Sequence, residues 1–199
     1  MVLATLVLGD DESTPKEEVV AQSEQSTEQE VEEVDYSEMA RSASDVRDLE
    51  TALKQLDESI ESIRLEGNLA VVRYDSEESA WSENTMVKEF ATDSTKILAI
   101  IQENPNYSDI AFERFGTLVD EKGNERESGL IKALYFEADI DALNFENFTD
   151  MVWVDASKFY TNATGYAING AIYPKIETEL QYNMKWANDP ETDVYNVYF

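Results

Sequence analysis

Histidine and cysteine are both absent from the 199 residues. Without cysteine there is no disulfide, no thiolate nucleophile, no zinc finger and no iron–sulfur cluster. Without histidine there is no Ser-His-Asp or Cys-His catalysis and no imidazole metal ligand. Glycine is scarce at 7 residues, most of them in turn-like positions, and no Gly-rich phosphate loop of either common spacing occurs. Basic residues are scarce too: 15 Lys plus Arg stand against 43 Asp plus Glu, a formal net charge of −28. A protein that tracks phosphates gains affinity by counterion release to Lys and Arg, so the charge argues against nucleic acid as a partner, and none is expected.

The acidity has three readings. It keeps a chain soluble, which is the common case; it reflects a salty or acidic-proteome host; or it is a working surface that mimics a polyanion. Residues 1–67 carry 19 acidic and 5 basic residues and residues 68–199 carry 24 and 10, so each segment nets −14. The first segment is half as long and has twice the charge density. The acidity is therefore not concentrated on the part expected to fold, which favours solubility.

Met1–Gly9 is apolar and uncharged. At ~1.5 Å per residue such a helix is far shorter than the ~30 Å hydrocarbon core of a bilayer. No Lys or Arg precedes the run and no clean small-x-small cleavage site follows, so it fails as a signal peptide. The abrupt change to Asp10-Asp11-Glu12 suggests the last third of a membrane anchor whose beginning lies upstream. Residues 10–43 are rich in Glu, Ser, Gln and Thr with Tyr36 the one aromatic, the composition of a disordered acidic linker. A flexible segment of this length has a root-mean-square reach of roughly 30–35 Å.

Order is expected from Ser44 to Phe199 as a single domain. Val46, Leu49, Leu53, Leu56 and Ile60 form one helical stripe behind a Ser44 N-cap, with Asp45 and Asp48 in the first turn. Gly67-Asn68 predicts a hairpin turn into the β-rich Leu69–Tyr74. Met86, Val87, Phe90, Ile97, Leu98 and Ile101 share one face of a helix near 82–103, with Lys88 and Thr95 pointing away. Tyr107–Val119 and Leu130–Phe136 read as strands joined through Gly123-Asn124. Two short helices are expected near 139–148 and 149–162. The fold class is α+β: an antiparallel sheet of about four strands, from two hairpins, covered by helices.

Several segments share a pattern: Trp81-Ser82-Glu83-Asn84-Thr85-Met86-Val87 opening a helix, the Asp120–Glu125 turn, Leu143–Val152, and Ala171-Ile172-Tyr173-Pro174. Over roughly residues 55–177 the arrangement resembles uncharacterised extracytoplasmic modules of small lipoproteins and membrane-anchored proteins of Gram-positive bacteria. The resemblance implies a membrane-tethered, outward-facing domain and supplies no catalytic residues. The lipid-accepting Cys of the lipoprotein version is missing, which leaves a transmembrane tether or none.

Chemistry-bearing patterns are thin. With 43 carboxylates, acidic pairs meet by chance, so they do not mark an acid–base couple. Asp139-Ile140-Asp141 begins like a calcium loop, but Leu143 and Asn144 stand where further ligands and the turn glycine belong. Three glycosylation sequons, at Asn106, Asn147 and Asn162, are no more than composition provides. No catalytic, metal or cofactor site is read. Aromatics are the uneven feature: 14 of them lie in residues 135–199. They fill cores, and they also make binding surfaces. Trp153, Tyr160, Tyr166, Tyr173 and Trp186 are the candidate binding surface.

The expected function is a non-catalytic, membrane-tethered extracytoplasmic binding or interaction domain of a bacterial envelope protein. Its partner would be a protein or envelope ligand, and it would meet membrane only through the N-terminal anchor. The alternative is a soluble, cytoplasmic acidic decoy that mimics nucleic acid, and a third reading is a carboxylate-only hydrolase. The charge itself makes a prediction. Self-repulsion at −28 is screened as the Debye length falls from ~30 Å at 0.01 M salt to ~10 Å at 0.1 M. Tm at neutral pH is expected to rise across that range by calorimetry; a flat Tm in both chloride and sulfate would remove self-repulsion as an important term.

Overall fold

The computed structural model describes residues 34–75 and 82–184. Met1–Gly9, residues 10–33 of the expected linker, and Trp186 lie outside the described residues.

The described structure already starts ten residues before Ser44. Helix α1 (Tyr36–Ser42) starts where the Asp35 carboxylate accepts from the Ser37 and Glu38 amides at 3.0 and 3.1 Å. Residues 34–43 are therefore part of the folded unit and not linker. The reason lies in two alanines. Ala40 and Ala43 are buried, and the Asn104 side-chain amide donates to both of their carbonyls at 2.8 and 2.9 Å. Asn106 donates to the Ala43 carbonyl as well, at 3.1 Å. Two small residues make no hydrophobic stripe, so composition alone reads this stretch as solvated.

Helix α2 (Val46–Leu56) follows, with Leu49, Ala52 and Leu53 inward. Its cap is Asp45, which accepts from the Arg47 and Asp48 amides, and not Ser44. Those bonds favour the charged carboxylate and hold its pKa below the usual range. Strands β1 (Ile60–Glu66) and β2 (Leu69–Tyr74) form the hairpin, with Gly67 at φ +69° in the turn. Helix α3 (Glu83–Ile101) is capped by Ser82, whose hydroxyl accepts from the Thr85 amide at 3.1 Å. Strands β3 (Asp109–Val119) and β4 (Glu125–Tyr135) pair through a turn with Gly123 at φ +80°. Helices α4 (Glu137–Asp141), α5 (Phe145–Val154) and α6 (Ser157–Asn162) come next. Strand β5 (Gly165–Ile168), a 3-10 turn at Tyr173–Lys175 and helix α7 (Thr178–Asn183) complete the described chain.

The fold is α+β, with five strands in the order β1-β2-β3-β4-β5. The sheet is mixed rather than antiparallel throughout. Strand β2 runs parallel to β3, from Leu69↔Asp109 to Tyr74↔Arg114. Helix α3 is the reason: it carries the chain back to the same end of the sheet, as a parallel pair requires. β5 joins β4 antiparallel over only four residues, too few to show as an alternating pattern.

One face of the sheet packs on the helices through Ala70, Val72, Ile110, Phe112, Ala133 and Tyr135. Thr95, expected to point away on α3, is fully buried, and its hydroxyl donates to the Ala91 carbonyl at 2.7 Å. Helix α3 packs against α1, α5 and α6 as well as β3, so its buried arc is wider than one stripe. The other face holds a smaller cluster of Leu69, Val71, Ala111 and Leu134. There the Arg64 guanidinium grips both oxygens of Glu113, which is only 2% exposed. Arg73 reaches Glu61 at 2.7 Å and Glu127 at 2.5 Å, and lies 4.1 Å over the Phe115 ring.

The role of α1 is testable. Asn104→Ala takes the side-chain donor from the Ala40 carbonyl and leaves the Ala43 carbonyl with Asn106 alone, and is expected to cost about 1–3 kcal/mol in urea denaturation. A change below ~0.5 kcal/mol would mean that α1 adds nothing to the cooperative unit.

Candidate functional site

The five aromatics expected at a surface separate. Tyr160 and Tyr166 are 0% and 2% exposed. The Tyr160 hydroxyl donates to the Val87 carbonyl at 2.7 Å, and its ring meets Tyr166 edge-on at 5.2 Å. Burial pushes the Tyr160 phenol up from its ordinary value, and Tyr166 up to about 12. Both are core residues, so their assignment to a binding surface is corrected. They sit under α3 because α6 and β5 direct them inward. Tyr173 is half-buried against the same core. Trp153 is 75% exposed.

Trp153 sits where it does because of helical phase. Phe145, Phe148 and Val152 face the core at spacings of three and four. Trp153 and Val154 follow Val152 directly, so they rotate off that face and stand 75% and 85% exposed, with Met151 at 46%. The helix stops at once, where the Asp155 carboxylate accepts from the Ser157 amide and hydroxyl at 3.0 and 2.6 Å. Trp153, Val154 and Asp155 edge an open groove of about 730 Å³ between α3, the end of α5, and α7. Its apolar floor is Val152, Ala156 and Leu180, all buried. Its α3 wall carries Lys88 and Glu89, and its α7 wall carries Glu177 and Glu179.

The α7 wall is strapped to α3 by polar contacts. Lys175 pairs with Glu83, the Glu177 amide donates to the Asn84 side chain at 3.1 Å, and Lys88 meets Glu177 at 2.9 Å. The bond from Lys175 holds the Glu83 carboxyl below its usual pKa. A second, larger groove of about 1140 Å³ lies on the other side of the strap, at the β3–β4 hairpin. No aromatic lines it, and Val119 is its strongly exposed apolar side chain. Asn169 beside it is committed to the backbone of Gly129 and Ala171 at 2.9 Å each.

Val154, Glu89 and Glu179 join Trp153 at the site without having been singled out in the sequence. An apolar residue one position off a helical stripe was the available signal for Val154. Nothing in the sequence brings Glu89 near Glu179, because α3 and α7 are distant along the chain. Among the described residues no group of three or more metal-ligating side chains forms, and no helix is long and apolar enough to cross a membrane. The Asp45, Glu83 and Asp120 carboxyls are all held below their ordinary range by hydrogen bonds, opposite to the raised carboxyl that an acid catalyst needs. No family model, curated protein or solved structure matches the chain.

The strap should respond to acid. The depressed Glu83 pKa means that the native state binds fewer protons there than the unfolded chain. Its contribution is full above the unfolded carboxylate range and is lost as pH falls through the folded value. Protection of the α7 amides, measured as exchange relative to the intrinsic rate at each pH, is expected to fall on acidification well before that of α3. Lys175→Ala should abolish this difference in pH response, with about 0–1 kcal/mol of global destabilisation.

Proposed function

We propose that the protein is a non-catalytic binding module whose contact surface is the groove edged by Trp153. One observation carries the reading: a tryptophan 75% exposed beside a valine 85% exposed, over a buried apolar floor. Scattered exposed apolar residues are ordinary, but an exposed tryptophan next to a concave apolar floor is the usual makeup of a contact hot spot. A cationic nucleic-acid face and a metal centre find no support in the composition or the described side chains. The order of an apolar run, an acidic segment and a folded unit, with the resemblance to Gram-positive extracytoplasmic modules, supports an envelope-tethered placement.

The test is capture from envelope and cytosolic extracts at ~0.05 M and ~0.3 M salt. Apolar contacts do not depend on screening, so partner capture is expected to persist at the higher salt. Trp153→Ala, with an unchanged circular dichroism spectrum, is expected to lose about tenfold or more in affinity. Capture only of basic nucleic-acid-binding proteins, abolished at the higher salt and indifferent to Trp153, would favour the acidic decoy instead.

A further inference from the structure

The rim of the Trp153 groove is as specific as its floor. Four carboxylates line it, Glu89, Asp155, Glu177 and Glu179, against one amine, Lys88. Lys88 is held by Glu177. Asp155 is engaged by Ser157 and by Lys158, whose ammonium lies 3.7 Å away. The Glu89 and Glu179 carboxylates have no hydrogen-bond or ion-pair partner among the described residues. Elsewhere on the same helix the pattern is different: Glu83 is paired with Lys175, and Asp93 with Lys96 at 2.8 Å. The groove thus joins an exposed apolar anchor to two unpaired negative charges, one on each wall.

Resting on the binding-module reading, we propose that the groove receives a cationic amphipathic segment of a partner protein. Apolar side chains of the segment lie on Val152, Ala156 and Leu180 and against the Trp153 ring. Lys or Arg side chains of the segment reach Glu89 on α3 and Glu179 on α7. Charge complementarity selects this occupant. A chain of net −28 repels an acidic segment and an anionic bilayer surface, and the local rim has the same sign. A polar cationic segment would leave the floor and Trp153 exposed to water. An apolar neutral one would leave Glu89 and Glu179 partly desolvated without partners. Only a segment carrying both properties satisfies both halves of the site.

The experiment uses the full 199-residue chain and synthetic peptides of about 14 residues. The probe peptide carries Leu at helical spacings i, i+3, i+4 and i+7 with Lys elsewhere. One control peptide replaces Lys by Glu, and the other replaces Leu by Ser. Binding is read by calorimetry and by tryptophan fluorescence, with Trp153→Phe assigning the signal to that ring. One-to-one binding of the Leu/Lys peptide is expected, with no binding of the Glu peptide and at least about tenfold weaker binding of the Ser peptide. Glu89→Gln and Glu179→Gln are each expected to weaken binding about two- to fivefold. Glu58→Gln, on the turn before β1 and not among the residues that line the groove, is expected to leave it unchanged. Val154→Ser provides a second apolar variant should Trp153→Ala alter the fold.

If Glu58→Gln weakens binding as much as Glu89→Gln does, the attraction is only to net charge and the proposal fails. If Trp153-dependent capture from extracts persists while no Leu/Lys peptide binds, the module stands and the cationic partner is overturned. Loss of Trp153 dependence in both assays overturns the module as well. Trp153-dependent flotation with lipid vesicles in the absence of peptide binding assigns the groove to a membrane surface. Trp153-dependent dimerisation in sedimentation, again without peptide binding, assigns it to a second copy. Either of those results also overturns the proposal.

Discussion

The Phe159 ring is the contact on which the rest of the structure depends. It meets Phe90 of α3 at 5.9 Å, Phe112 of β3 at 6.1 Å, Tyr135 of β4 at 5.3 Å and Tyr160 of α6 at 5.2 Å. Most of these approaches are edge-on, the geometry in which ring edge and ring face attract. Two hydroxyls lock the cluster, each with a backbone carbonyl as its acceptor. Tyr135 donates to the Phe159 carbonyl, and Tyr160 donates to the Val87 carbonyl. Helix α3, the sheet and α6 are thereby fixed to one another. The short link from α5 to α6 then leaves α5 little choice of phase. Val152 goes inward, and Trp153 must go out.

Scarce positive charge shapes the remainder. Five of the basic residues tie together segments distant in sequence. Arg64 joins β1 to Glu113 on β3, Arg73 joins β2 to Glu127 on β4, and Arg41 joins α1 to Glu103 after α3. Lys175 and Lys88 strap the entry of α7 to α3. Exposed pairs of this kind contribute about 0–1 kcal/mol each, so they choose arrangement more than they supply stability. Glu113 differs, since its burial would be costly without the bidentate Arg64 contact. Because 15 bases face 43 carboxylates and several are used in this way, the surface keeps surplus carboxylates, including the two at the groove rim.

Local signals made much of the fold legible. The hairpin glycines at 67 and 123, the stripe of α2 and the long stripe of α3 each depend on residues a few positions apart. What escaped depends on partners far along the chain. Helix α1 is held by Asn104, some sixty residues away, and its inward residues are alanines. Strand β5 exists because β4 offers an edge, through Ala133↔Tyr166 and Leu134↔Gly165. The parallel β2–β3 pair follows from where α3 returns the chain, which hairpin reasoning does not address. The aromatic excess after residue 135 was visible, but its division was not. Tyr160 and Tyr166 entered the core while Trp153 did not, and the phases of α5 and α6 and the facing of β5 decide that.

An exposed apolar groove is ordinarily a liability, because two copies can bury it against each other. Here the acidity opposes that outcome. Joining two copies at the groove would bring Glu89, Glu177 and Glu179 of each against the same set on the other, with a net charge of −28 on either side. Within a Debye length of ~10 Å at 0.1 M salt, that repulsion is not screened away. Apolar burial of a few hundred Å² at ~25 cal/mol per Å² is of the same order as the cost of association itself, so modest repulsion decides the balance. The same carboxylates attract a segment of opposite charge. Acidity that looks like a bulk solubility device is thus also a filter at the groove, admitting an apolar contact only when positive charge accompanies it.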